Sequence, residues 1–432
     1  MINRRTLTPL VIVETYLWLT LLIYFFGPVH FKTHNPFLFL GLMAFYLLMF
    51  AFGYVVALFK IERGPLRRKE RYFSKRLFYV SFLLGVVMIL GTYRNIMLTD
   101  SFIPYDIFKD VARGISEPGL VYTERMSRLA AGETSGSRLF NVVSLGFSFT
   151  KLFFLFVCLY FWSELDAFKK VLAVCYSLLF LSTGFASGTN APIFLFTIFS
   201  AASAACIMFV RRDRNLGKYL GWIGVILCFP VLAFGYVMSK RGGGFDYFSG
   251  SSPLGDVSVS LMAPELDGIF SMFFYSLVWL NYYLVQGYYG FSLVLNFEHN
   301  WTYGFGSSVF LQRQFEMLFG IDISNDTFQA RVSHLWDVNA QWHSFYGQVA
   351  NDVGLIGVGL LMFLLGFFLC KVWISSIYQN SFYGLSLLPI FCILIIFIPA
   401  NNQVFGYIDT FSYAVLVSIL WLFEDKTMRF FK

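Results

Sequence analysis

The chain has 432 residues, of which 57% are hydrophobic, 20% aromatic and 13% charged, with a formal net charge of +7. A soluble domain carries roughly a quarter charged residues, so this balance excludes an ordinary globular protein. Run after run approaches or exceeds the roughly 20 apolar residues that cross a bilayer, and the expected fold class is all-α: a polytopic helical membrane protein, one integral membrane domain over residues 1–432.

Ten spans are predicted in chain order, near 9–29, 36–59, 77–97, 141–161, 171–187, 191–210, 219–239, 349–370, 384–400 and 404–423. The first is too long for a cleavable signal peptide and lacks a small-residue cleavage pattern, so it reads as a transmembrane helix. An even count puts both termini on one side. The segment KIERGPLRRKERYFSKR (60–76) holds eight Lys and Arg against two Glu, and such a cluster stays in the cytoplasm. On this topology the cytoplasmic side carries 20 Lys and Arg and 7 acidic residues, the opposite side with the outer ends of its spans 11 and 17, and Glu14 and Lys151, within helices, are counted for neither. The faces therefore carry +13 and −6, an orientation signal and not a nucleic-acid signal.

Two large segments, 98–140 and 240–347, face outward in this reading and are expected to carry interfacial helices. Within the second, 268–297 has no charge and is long enough to cross. Its Tyr275, Trp279, Tyr282, Gln286 and Tyr289 recur at three- and four-residue spacing, and Gly287 and Gly290 interrupt the run. A hydroxyl-rich aromatic face suits the interface or a re-entrant dip better than the bilayer centre. All six cysteines lie in apolar stretches and read as packing residues. Lys151, about halfway along the fourth span, is costly in lipid unless it snorkels or pairs, so it marks a cavity.

No Walker A, HExxH, GxSxG or DxD signature is present. Glu265 and Asp267 in PELDG form an ExD pair that suits a divalent metal only if both face one cavity. The densest constellation is NAQWHSFYGQVANDVGLIGVGLL (339–361), where Trp342, His343 and Ser344 open a helix that is apolar after Asp352. An imidazole at the outer membrane boundary exchanges protons near neutral pH, and Trp342 can stack on a sugar ring. The alternative is an aromatic belt with a structural histidine. Asp337 and Asp352 flank His343 and can orient its ring, although Asp352 can equally anchor the helix start. His299 and His334 default to solvent-exposed roles.

WHSFYGQVANDVGLIGVG is similar to the His-containing segment before a late transmembrane helix in the O-antigen ligase and O-antigen polymerase superfamily. YYLVQGYYGFSLVL (282–295), WTYGFGSS (301–308) and PANNQ (399–403) resemble segments of the oligosaccharide repeat unit polymerases, the Wzy-type proteins, in that order along the chain. The resemblance implies a GT-C-like helical membrane glycosyltransferase in the bacterial inner membrane, with cytoplasmic termini and its active site facing the periplasm. It would join oligosaccharide units carried on undecaprenyl pyrophosphate into a surface polysaccharide such as the O-antigen of lipopolysaccharide. The implied partners are that lipid-linked oligosaccharide, membrane lipid and a chain-length regulator protein, with no nucleic acid, no metal and no other cofactor.

Such a transfer needs cations for the departing pyrophosphate and a base for the acceptor hydroxyl. His343 is the catalytic candidate, as base or as phosphate contact. Arginine suits pyrophosphate because its planar fork binds phosphate oxygens in pairs. Outer candidates are Arg94, Arg113, Arg125, Arg128, Arg138, Arg241, Arg313 and Arg331. Of these, Arg241 lies beside three glycines in SKRGGGF, Arg313 faces away from an apolar stripe of Leu311, Phe315 and Leu318, and Arg331 lies near His343 in sequence. Trp342, Trp301 and Tyr289 are the candidates for glycan binding. The chain departs from the ligase-like pattern at STGFASGTNAP (182–192), where relatives often carry an arginine; either Arg241 takes that role or the register differs. The rival readings are an O-antigen ligase and a flippase or transporter of lipid-linked glycan.

Overall fold

The computed structural model describes residues 4–60, 73–99, 101–130, 138–211, 230–237, 257–259, 268–338 and 341–424, with residues 221, 224 and 228. The chain is a helical membrane protein. Its helices are α1 (Arg4–Phe26), α2 (Pro36–Lys60), α3 (Lys75–Met97), α4 (Ile107–Ser116), α5 (Pro118–Ala130), α6 (Arg138–Phe147), α7 (Thr150–Tyr160), α8 (Ala167–Ala186), α9 (Ala191–Arg211), α10 (Gly268–Val294), α11 (Val309–Phe319), α12 (Phe345–Gln379), α13 (Phe382–Phe397) and α14 (Ile408–Leu422). A two-stranded antiparallel ribbon pairs β1 (Val29–Phe31) with β2 (Val257–Val259).

Among the described residues, seven helical segments are long and apolar enough to cross a membrane: α1, α2, α3, Val142–Tyr160, α8, α9 and α12. Helices α13 and α14 are apolar but shorter. About half of the expected span 219–239 lies outside the described residues; 221, 224, 228 and 230–237 are helical. The structure therefore supports a multi-span bundle and leaves ten as the sequence's count. Large apolar side chains such as Leu48, Phe52, Leu83, Leu178 and Ile356 remain exposed on the outside of these helices, where lipid would cover them.

Helices α2 and α12 share the most extensive packing. Glycines make that closeness possible: a Cβ on Gly53 would stand 1.9 Å from the Phe363 carbonyl oxygen, and one on Gly366 2.1 Å from that of Phe50. Without a hydrophobic drive between helices in lipid, such backbone approach supplies the van der Waals contact that holds them. Helix α12 runs well past the expected 349–370 at both ends and kinks at Gly354, whose φ is +69°. That conformation is open to glycine at little steric cost.

Successive spans alternate, which gathers their ends into two groups. At one end Arg5 donates to the carbonyls of Phe209 and Val210, Trp373 to that of Arg5, and Arg211 to that of Tyr160. There the Glu424 carboxylate also accepts from the Ser381 hydroxyl and the Phe382 amide, at the start of α13. We call this the basic end, since Arg4, Arg5, Lys60, Lys75, Arg76, Lys169 and Lys170 collect there. The opposite, loop end carries the ribbon, α4, α5, α11 and the segments 295–338, 341–344 and 398–407.

Helix α10 belongs to the loop end. Tyr282 and Tyr289 both pack on Phe31, Tyr288 meets Thr20 and Tyr24, and residues from Val285 to Leu295 are buried without exception. Its second half is enclosed in protein, so the aromatic stripe read as an interfacial face is packing surface here.

Candidate active site cavity

Lys151 opens α7 just after a break at Ser148 and Phe149, and its side chain is 3% exposed. An ammonium buried between apolar helices requires a partner, and it has two. Its Nζ lies 2.5 Å from Oδ2 of Asp409 and donates to Oγ1 of Thr92 at 2.8 Å. Asp409 sits in the first turn of α14, which the Thr410 hydroxyl fastens to the carbonyls of Gln403 and Val404. The other carboxylate oxygen, Oδ1, has no hydrogen-bond partner.

This pair borders a cavity of about 370 Å³ at the loop end, lined by Thr92, Arg125, Thr183, Thr189, Gln403 and Tyr407 among others. Arg125 reaches it from α5, which the close contact of Gly188 with Pro118 seats over the turn between α8 and α9. Its Nε is buried without a partner, and burial lowers the guanidinium's pKa, opposed by nearby Tyr122. The described lining thus holds two cations and one carboxylate, that carboxylate already engaged. Desolvated positive charge beside hydroxyl and amide donors is an environment for an anion.

His343 occupies a different place. Its turn is bound on all sides: the Trp336 indole donates to the Trp342 carbonyl, the Trp342 amide to Oε1 of Gln286, the Ser344 amide to the Gly287 carbonyl and the Phe345 amide to that of Ile398. Ser344 caps α12 by accepting from the Gly347 amide. Helix α10 can pass so close only because of two glycines, since a Cβ on Gly287 would stand 2.4 Å from the Ala400 carbonyl and one on Gly290 2.8 Å from Nδ1 of His343. The ring is 2% exposed and neither nitrogen has a partner of good geometry. Burial pushes its pKa down to about 3, only partly opposed by the Trp336 backbone, so the imidazole is neutral at physiological pH.

The remaining sequence candidates are scattered. Arg313 is exposed on α11, where Phe315 is buried but Leu318 stays 69% exposed, so the expected apolar stripe is only partly covered. Arg331 lies over the rings of Phe328 and Phe297, and burial lowers its pKa. Trp301 is exposed, Trp342 packs edge-on against Tyr283, and Tyr289 is a core residue against Trp336. Arg241, Glu265 and Asp267 lie outside the described residues. Asp352 does not orient His343; it accepts from Thr302 Oγ1 and from the amides of Gly306 and Ser307, anchoring that loop to α12. His299 is exposed, as expected, and its Nε2 also lies 2.9 Å from the Asn351 carbonyl oxygen. Among the described residues no three His, Cys, Asp or Glu converge as a metal site would require.

None of His343, Arg313, Arg331, Trp342, Trp301 or Tyr289 lines the cavity. Lys151 is the residue whose sequence reading led to it. Arg125 was one of eight outer arginines, and Asp409 had no distinguishing signal beyond a charge at the start of an apolar run.

Compared with protein-family models, with curated proteins and with solved structures, the chain matches none.

Proposed function

We propose that the protein is a membrane glycosyltransferase that polymerises oligosaccharide repeats carried on undecaprenyl pyrophosphate, with the loop end facing the periplasm of a bacterial inner membrane. The observation that carries this reading is the cavity at the end opposite the basic one, with Arg125 and Lys151 bordering it and more positive than negative charge in its described lining. In this reading the two cations receive the pyrophosphate, whose charge grows as the glycosidic bond breaks, and Thr92, Thr189, Gln403 and Tyr407 offer hydrogen bonds to phosphate or sugar. His343, enclosed and neutral, holds α10 against the start of α12. A second reading, a lipid-linked glycan flippase, draws support from the Lys151 and Asp409 ion pair, since paired charges between spans also mark transport paths.

Purified protein in proteoliposomes, given a defined undecaprenyl-pyrophosphate oligosaccharide, should produce a ladder of glycan lengths. Movement of the lipid across the bilayer with no ladder would favour the flippase, and a single transfer to a lipid A core acceptor the ligase. For orientation, a single cysteine at Ser116 should react with an impermeant thiol reagent in intact spheroplasts, and one at Arg76 should not.

A further inference from the structure

We infer that Asp409 is the catalytic base for the acceptor sugar hydroxyl, held by Lys151 until the phosphate of the donor arrives; the inference rests on the glycosyltransferase reading above.

Among the described residues lining the cavity, Asp409 is the one carboxylate. Its side chain is 18% exposed, against 3% for Lys151, so Asp409 is the more open residue of the pair, although Oδ1 itself is buried. Oδ1 accepts from nothing, whereas Oδ2 is spent on the ammonium. The charged and titratable groups around it are Lys151 on α7, Tyr176 on α8, Arg125 and Tyr122 on α5, and Tyr407 beside it. His343, the other candidate base, does not line this space.

An aspartate bound to an ammonium is a poor proton acceptor, because the charge that would draw the proton is already shared. Pyrophosphate oxygens compete for the same ammonium and bring their own charge, and Arg125, whose Nε is buried without a hydrogen bond, supplies a second contact. When Lys151 turns to the phosphate, Asp409 is released beside the acceptor. The acceptor oxygen then bonds to the anomeric carbon of the donor glycan while the bond from that carbon to the pyrophosphate oxygen breaks. The hydroxyl proton passes to Asp409, and the bonding pair leaves with undecaprenyl pyrophosphate. The arrangement makes the base available only when a donor is bound.

The test compares ladder formation and undecaprenyl pyrophosphate binding for the wild type, Asp409→Asn, Asp409→Glu, Lys151→Met and the double variant Lys151→Met with Asp409→Asn, each checked for thermal stability in detergent. Asp409→Asn should lower the single-turnover rate by roughly 100- to 10,000-fold and leave undecaprenyl pyrophosphate binding within a few-fold, as expected for loss of a general base. Asp409→Glu should recover measurable activity. If the amide variant is unstable because Lys151 loses its counter-charge, the double variant is read against Lys151→Met alone, so that the lost phosphate contact cancels and the further fall in rate belongs to Asp409. A folded Asp409→Asn protein at the wild-type rate, or a double variant no slower than Lys151→Met, would overturn the inference, and so would loss of lipid binding equal to the loss of rate on removing the carboxylate. A wild type that binds the lipid but makes no ladder would instead overturn the proposed function, and the inference with it.

Discussion

Two buried polar groups flank one stretch of chain. Residues 398–401 hold the His343 turn, through the Ile398 carbonyl and the Asn401 side chain that receives Gln348, while residues 403–410 border the Lys151 cavity. The two groups meet the cost of burial differently. The imidazole gives up its charge and is packed beside Gly290 and Trp336, 2% exposed. The ammonium is paired with a carboxylate, and both residues line the cavity. Burial by neutralisation yields a rigid joint; burial by pairing yields a charge that a ligand can take over.

The largest expected effect breaks the pair. Lys151→Ala should cost roughly 3–5 kcal/mol of stability by leaving Asp409 buried and unpaired, read from unfolding in detergent, and the double variant Lys151→Met with Asp409→Asn should restore most of it. A loss below about 1 kcal/mol would mean that the pair is solvated and the contrast unfounded. Next, Gly290→Ala should cost about 1–3 kcal/mol, because the new methyl meets His343 Nδ1 at 2.8 Å and the Trp336 indole at 3.1 Å. Gly146→Ala on α6, with nothing within 4 Å, is the control and should be neutral or slightly stabilising.

Acidification sharpens the contrast from the other side. The folded His343 titrates near 3 and the unfolded one near 6.5, so protons favour the unfolded chain between those values. Stability due to this group is complete above pH 6.5 and lost as the pH falls, by about 1.4 kcal/mol at pH 5.5, and His343→Gln should flatten that part of the profile. The smallest effect is expected at Trp301, 63% exposed, where Trp301→Ala should change stability by no more than about 0.5 kcal/mol.

Much of the bundle was legible because hydropathy reports spans directly, and Lys151 was legible because a charge within a span needs a reason. Its partner was not, since Asp409 lies 258 residues away and only tertiary packing brings α14 to α7. The reach of α12 to Gln379 was missed because the apolar pattern weakens near Lys371 although the backbone stays helical. The enclosure of His343 depends on Gly287, Gly290 and Trp336, which the WHS segment does not contain. Aromatic spacing in 268–294 resembled an interfacial stripe because a tyrosine-rich face looks the same in sequence whether water or protein covers it.

The account stands most directly on which of the two places carries the chemistry. The single-turnover rate of ladder formation should therefore be measured side by side for Arg125→Ala and His343→Gln, at matched amounts of folded protein. Loss of the cavity cation should slow transfer roughly 100- to 1000-fold, as removal of a contact to developing charge does, while His343→Gln should stay within about tenfold of the wild type. A folded His343→Gln protein without activity, alongside an Arg125→Ala protein that polymerises normally, would contradict it.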